Sequence, residues 1–349
     1  MIGKPNILQS YPTTHFLLCT ERTGSSLLSL MLNLHSNVIC PSEEPFALFF
    51  HNHYKNKIQW TEKELLQFVD EFWLMAEKNL DLFFTSKSNL FKELEKHKNN
   101  LNYKLLCTII YLQFIEPKPK ENITVILDKQ IKYFFYLKKL LELYPESKFV
   151  ILVRDPRVNA IRKKSRNLNA GQSPLYLAAL WKNTYNNIDY LKSKNKEVLI
   201  VKYEDLVSDP ESILKSISNF LGITYNDVML KTDGVYETFL NHQKDKVDSK
   251  HLDYLKDFQS SLFQKVNKEK ISLQENEMDV ELNDKIVKLT KPLLEQFNYQ
   301  TTQLSQSKVT FNLNDYWQIT KAYLYRPLLI QFYLKIPLSI KLLIKKIRR

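Results

Sequence analysis

The chain has 349 residues, 44% of them hydrophobic and 25% charged, and its 50 lysines and arginines against 38 aspartates and glutamates give a formal charge of +12. That is long enough to bury a full core in one large unit, and too apolar for global disorder. Three widely separated cysteines, Cys19, Cys40 and Cys107, argue against a disulfide scaffold and form no metal-binding spacing; the positive charge leaves nucleic acid, an anionic membrane and a small polyanion open until its location is known.

The amino terminus, MIGKPNILQSYPTTH, has no charged segment followed by an apolar one, and no uninterrupted apolar run is long enough to span a bilayer, so the expected compartment is the cytoplasm. Phe16 to Thr20 (FLLCT) is a short apolar run ending in a polar turn, and Leu27, Leu30, Met31 and Leu34 then recur at helical spacing. Strand, loop and helix follow one another. The loop, Thr20-Glu21-Arg22-Thr23-Gly24-Ser25-Ser26, carries one of only five glycines in the chain. Glycine permits the tight turn and brings successive N–H groups to one anion, the helix adds its positive end, Ser25 and Ser26 offer hydroxyls and capping, and Arg22 supplies a forked cation. A helix cap with a solvated arginine is the plainer reading of this loop alone. A nucleoside triphosphatase loop is disfavoured because GxxxxGK[ST] is absent.

Val38 to Cys40 is a short strand-like run, and the carboxylates Glu43 and Glu44 follow it, close in sequence to the loop; adjacent like charges can raise one pKa towards that of a useful base. His51 and His53 form an HNH triplet with no partner cluster, and no metal is expected. Residues 60 to 115, rich in Leu, Phe, Lys and Glu, read as a helical insertion shaping an acceptor side, closed by the break Glu116 to Lys120 (EPKPK). Ile123 to Leu127 (ITVIL) is a second strand with Lys129 at its end, where α/β enzymes place functional groups. Tyr133 to Tyr144 is a helix and Lys148 to Val153 (KFVILV) a third major strand. Arg154 follows, with Asp155 as N-cap and Pro156 at the first helical position. On that helix Arg162 and Arg166 advance by fours from Arg154, while Arg157, Lys163 and Lys164 can remain in solvent. Val198 to Val201 and the helix Glu211 to Leu221 complete another round. Continuous apolar strands alternating with helices predict an α/β fold with a parallel sheet covered on both faces.

The run RTGSSLLSLMLNLHSNVICPSEEP, together with VRDPR, LDKQI and VKYEDLVSDPESILKSISNFLGI, resembles the PAPS-dependent sulfotransferases, particularly the carbohydrate and tyrosylprotein branches and a bacterial-type soluble member of them. The resemblance is clear from about Thr14 to Ile223 and faint to about Tyr299. It implies a P-loop-like sulfotransferase fold, a central parallel sheet flanked by helices with a helical insertion and a C-terminal helical tail. It also implies PAPS (3′-phosphoadenosine 5′-phosphosulfate) as donor, PAP as product and no metal. Carried onto this sequence, Arg22, Thr23, Gly24, Ser25 and Ser26 hold the 5′-phosphosulfate, Arg154 the 3′-phosphate, Lys129 the travelling sulfuryl group, and Tyr203 helps form the donor site. The family's usual serine eight positions after that arginine is Arg162 here, so either Arg162 or Ser165 takes its contact, and Arg166 matches a further basic contact. The acidic residue before proline is the family's proposed base, which favours Glu44 and leaves Glu43 open. FLNHQKDKV, with His242, resembles a polar closing loop of the family.

The sulfotransferase domain is expected over residues 1–300, with its insertion at about 46–115, and a linker and amphipathic tail over 301–349, the boundary falling at Thr301 to Ser307. From Tyr316 to Arg349 aromatic and aliphatic residues mix with lysines, fitting an interfacial helix on the inner face of the membrane as well as a helix packed on the domain. The expected partners are a nucleotide donor and a carbohydrate or lipid-linked acceptor, not nucleic acid. The competing readings are a nucleotide-binding or phosphoryl-transfer protein using the same anion sites, and a membrane-associated module without catalysis.

Overall fold

The computed structural model describes residues 11–347 except 42, 77–82, 116, 118–119, 121, 165–171, 247–248, 251–252, 254–255, 257–278 and 302–308. Ser165 and Arg166, most of the EPKPK break and all of the expected boundary but Thr301 therefore lie outside the described residues. The elements used below are β1 (Thr13–Cys19), α1 (Ser25–Asn33), β2 (Val38–Ile39), α2 (Glu62–Ala76), α3 (Lys87–Glu95), α4 (Tyr103–Leu112), β3 (Val125–Gln130), β4 (Phe149–Val153), α5 (Pro156–Lys164), α6 (Pro174–Tyr185), β5 (Val198–Lys202), α7 (Pro210–Leu221), α8 (Val235–Gln243), α9 (Val280–Gln296), α10 (Leu313–Lys335) and α11 (Leu338–Ile347).

The five strands form one parallel sheet in the order β2-β3-β1-β4-β5. Its central strands are apolar without alternation because both faces are covered. Phe16, Leu18, Ile126, Phe149 and Ile151 pack on one side, and Leu17, Cys19, Leu127, Val150 and Leu152 on the other, beneath Leu28, Met31 and Leu32 of α1 and Leu214 and Ile217 of α7. The chain leaves β1 towards β2 and returns through β3, whereas from β4 it continues the other way to β5. The carboxyl ends of β1 and β4 thus border the topological switch point, where open α/β sheets bind ligands.

Helices α2, α3 and α4 occupy the expected insertion and share the core on one face of the sheet. Aromatic edges bind them together: the Phe46 ring lies 5.5 Å from Phe72 and 4.7 Å from Tyr111, and Phe50 lies 5.3 Å from Phe68. Tyr111 also reaches the sheet, donating to Asp128 Oδ2 at 2.6 Å while Gln130 Nε2 donates to Oδ1 at 2.8 Å.

Asp128 is completely buried, and desolvation pushes its carboxyl up to about 7 despite those two donors. A carboxyl with a raised folded pKa binds more protons in the native chain, so its contribution to stability falls as pH rises from about 4 to about 7. Buried His15 acts in the opposite sense: burial lowers it from 6.5 to about 4, and its contribution is lost as pH falls through that window. The two slopes have opposite signs. Asp128→Asn removes only the first, and urea midpoints at both ends of the window should show the variant gaining on the parent, on the order of a few kcal/mol, as pH rises. A difference that does not change with pH would mean that Asp128 is ionised throughout.

One expectation changes, and one of the two readings of the tail is met by a contact. The segment around His242 forms helix α8, because Tyr236, Phe239 and Leu240 stand at i, i+3 and i+4 and bury one face in the core. In the tail, the inner face of α10 does pack on the α/β body, with Ala322 and Ile319 against Tyr176, Leu177 and Leu180 of α6.

Candidate active site

Two strand-to-helix junctions meet at the switch point. At the first, the chain leaves β1 at Cys19, turns through Arg22 in the left-handed region (φ 61°) and Gly24 (φ 92°), and enters α1. Gly24 itself is the N-cap, with no side-chain cap, so Ser25 and Ser26 are the first helical residues and do not cap as the sequence suggested. Leu27 N donates to Gly24 O at 3.1 Å, and the N–H groups of Ser25 and Ser26 precede that first bond at the positive end of the helix. The Thr23 hydroxyl turns inward, donating to Thr20 O at 2.7 Å, so only the main chain of Thr23 is available to a ligand. Ser25 touches the Cys19 thiol, whose burial pushes its pKa up to about 12 and keeps it protonated.

At the second junction β4 delivers Arg154, and Asp155 caps α5 by accepting from Arg157 N at 2.8 Å. Arg157, expected in solvent, is instead held by the Asp155 carboxylate, with Nε to Oδ1 at 2.9 Å and only 11% of its side chain exposed. Arg154 Nη1 donates to Arg22 O at 3.2 Å, which joins the two junctions directly. The Arg154 guanidinium lies 4.3 Å from the centre of the Tyr203 ring. That ring also closes on the loop: a Cβ built on Gly24 would meet Tyr203 Cδ2 at 2.2 Å and Cε2 at 2.3 Å. Glycine at position 24 is therefore required twice, by its backbone angle and by the ring packed on it.

Burial lowers the pKa of Arg154, with Tyr203 and Glu204 opposing that effect and the positive charge of Arg162 adding to it. Two guanidinium groups in one partly desolvated place repel, and an anion with several negative oxygens relieves both. The charge of Arg162 on α5 is thus felt at Arg154.

On the other flank, Lys129 is 7% exposed near the end of β3, in register with Leu17 of β1. Its Nζ lies 3.7 Å from Glu43 Oε1. Desolvation raises the pKa of Glu43; Lys129 opposes it and the Glu21 carboxylate adds to it. Glu44 is buried, and its main-chain carbonyl accepts from Phe46 N at 2.8 Å to start the next helical turn. The structure brings Glu43 to Lys129 and buries Glu44, the next residue, at the same flank of the site.

Sequence reasoning missed the groups that hold this constellation. Asn159 Nδ2 donates to Glu21 O at 2.9 Å, Trp181 Nε1 to Arg154 O at 3.0 Å, and Tyr185 OH accepts from Thr20 N at 3.2 Å while donating to Leu152 O at 2.7 Å. Glu204, its own pKa raised by burial, accepts from Asp155 N at 3.0 Å and from Tyr299 OH at 2.8 Å. Glu204 belongs to the YEDL block and Asn159 lies two residues beyond VRDPR, so both were in view. Trp181, Tyr185 and Tyr299 come from distant parts of the chain and carried no local signal.

Comparison with known proteins points the same way. A model of the sulfotransferase family matches residues 15–227, which takes in both junctions, Glu43, Lys129 and Tyr203. A protein-tyrosine sulfotransferase of Drosophila melanogaster is 24% identical over 241 residues, a match covering 65% of this chain and 40% of that protein, so the chain spans well under half of that relative's length. Among solved structures, the sulfotransferase domain from the Synechococcus PCC 7002 olefin synthase superposes with a TM-score of 0.50 and 19% identity over 86% of this chain and 99% of the domain, a likeness of fold. The sulfotransferase domain from the curacin biosynthetic pathway gives a TM-score of 0.45 and 22% identity over 83% of this chain and 98% of that domain. With a family match running over more than half of its length and a parallel α/β sheet that carries its site residues at the switch point, the chain belongs to the sulfotransferase family.

Proposed function

We propose that this chain transfers a sulfuryl group from PAPS to a hydroxyl or amine of a carbohydrate, glycolipid or other acceptor by in-line displacement. In this reading the main chain of residues 22–26, with the hydroxyls of Ser25 and Ser26 and the Arg22 guanidinium, holds the 5′-phosphosulfate. Arg154 and Arg162 hold the 3′-phosphate. Glu43 takes the proton of the attacking group as the new bond to sulfur forms. The bond from sulfur to the bridging phosphate oxygen breaks, and PAP leaves with that electron pair. Lys129, beside Glu43, faces the oxygens of the group in flight, where fixed positive charge lowers the barrier most.

The observation that carries the reading is the contact of Arg154 with the Arg22 carbonyl, under a shared Tyr203 ring. It makes two anion sites into one rigid unit, as a nucleotide with phosphate at both ends of its ribose requires. The test is incubation with radiolabelled PAPS and a broad panel of carbohydrate, glycolipid and phenolic acceptors, with mass detection of product. Label moving to one acceptor class, in step with PAP release, is the expected result. Labelled phosphate moving from ATP instead, with PAPS inert, would establish the phosphoryl-transfer reading.

A further inference from the structure

Among the described residues, α10 and α11 each pack on the domain by one face and leave further apolar side chains exposed. The inner face of α10 rests on α6, as described. α11 is fixed by Leu338 and by Lys341, whose ammonium enters between the Phe49 and Tyr333 rings at 5.4 and 5.5 Å. Outward, α10 presents Leu313, Trp317, Leu324, Leu328 and Phe332, a single stripe of the helix, with Trp317 64%, Leu328 60% and Phe332 65% exposed. α11 presents Ile340, Leu343 and Ile347 at i, i+3 and i+7, with Ile347 76% exposed.

The charge on these helices has one sign. Between residues 313 and 347 there are six basic residues and a single acidic one, Asp315. Asp315 is buried, and its carboxylate is held by Lys285 of α9 at 2.9 Å. Lys335 and Lys346 are exposed beside the apolar stripes. Among the described residues no single helix is long and apolar enough to cross a membrane, and α10 and α11 turn by 110° between Tyr333 and Leu338. That bend is unsuited to one straight span and allows both helices to lie flat on a surface.

We propose that the outward stripes of α10 and α11 dock this protein on an anionic lipid bilayer, lying in the interface with lysines towards the headgroups. The leucine, isoleucine and phenylalanine side chains enter the acyl boundary, and Tyr316 and Trp317 take the headgroup level that suits an apolar ring with a polar edge. A second copy of the chain is a poorer occupant, since two like-charged faces would meet. The inference goes beyond sulfuryl transfer and stands whether or not that reading holds.

The test is flotation of the full chain with phosphatidylcholine vesicles, with and without phosphatidylserine, followed by sedimentation equilibrium without lipid. The parent chain should float with the anionic vesicles. Lys335→Gln and Lys346→Gln should each weaken that binding roughly fivefold, with little change on neutral vesicles. Leu324→Ser with Leu328→Ser should weaken both at least about tenfold. All these positions are exposed, so unchanged circular dichroism and thermal midpoint report an intact fold. A parent chain that stays with the protein fraction on anionic vesicles would overturn the proposal. So would a self-associated parent that the double serine variant converts to monomer, since the stripe would then belong to a second copy.

Discussion

Glu43→Gln is expected to reduce kcat on the order of 10²–10⁴-fold while leaving PAP affinity within a fewfold of the parent. The carboxylate stands 3.7 Å from Lys129, next to the cation assigned to the sulfuryl oxygens, and glutamine keeps its size while removing its basicity. Glu44→Gln should leave turnover within a fewfold and appear instead in the thermal midpoint, because that side chain is buried. The pH profile adds a second constraint. A base must be ionised to act, and burial raises the Glu43 pKa, so activity should rise with pH through a limb above the ordinary glutamate range. Lys129 holds that pKa down. The residual activity of Lys129→Met should therefore show the limb moved further up. Collapse of turnover in Glu44→Gln with Glu43→Gln near parent activity would reverse the assignment.

The second large effect is expected at Gly24. Alanine there forces a side chain into φ 92° and drives its Cβ into the Tyr203 ring. Backbone strain of that kind costs about 1–3 kcal/mol, and displacing the ring also removes the surface on which Arg154 rests. PAP affinity should fall at least about tenfold, since both anion sites are disturbed by one methyl group. Adding Tyr203→Ala to Gly24→Ala opens the space without relaxing the backbone angle. Calorimetry on the four chains of this cycle should show the second substitution costing less in the alanine background than in the parent. Strict additivity would mean that the ring and the loop act independently.

Much of the fold was legible because its signals are local. Uninterrupted apolar strands such as FLLC and FVILV can only be covered on both sides, and Asp155-Pro156 and Asp209-Pro210 start helices wherever they are packed. The two strand-to-helix junctions were legible for the same reason. What escaped depends on contacts across the chain. The approach of Glu43 to Lys129 is set by how β2 runs beside β3, which spacing does not encode. Arg157 read as a solvated cation because its capture by Asp155 reverses direction around a helix start. The region around His242 read as polar because the burial of Tyr236, Phe239 and Leu240 depends on the core they meet. The tail remained ambiguous in sequence because a helix packed on the domain by one face and a helix lying in an interface share the same mixed pattern; the packing of Ile319 and Ala322 on α6 depends on contacts across the chain.

The central claim is that Arg154 and the Arg22 to Ser26 loop form one site for a nucleotide carrying phosphate at both ends of its ribose. Calorimetric titration with PAP and with adenosine 5′-phosphate, on the parent and on Arg154→Ala, tests it most directly. The account predicts that the parent binds PAP tighter than adenosine 5′-phosphate by at least about tenfold, the least that a charge-assisted contact to the extra phosphate should give, and that Arg154→Ala removes most of that preference. Equal affinity of the parent for the two nucleotides, or a preference that survives the loss of Arg154, would contradict it.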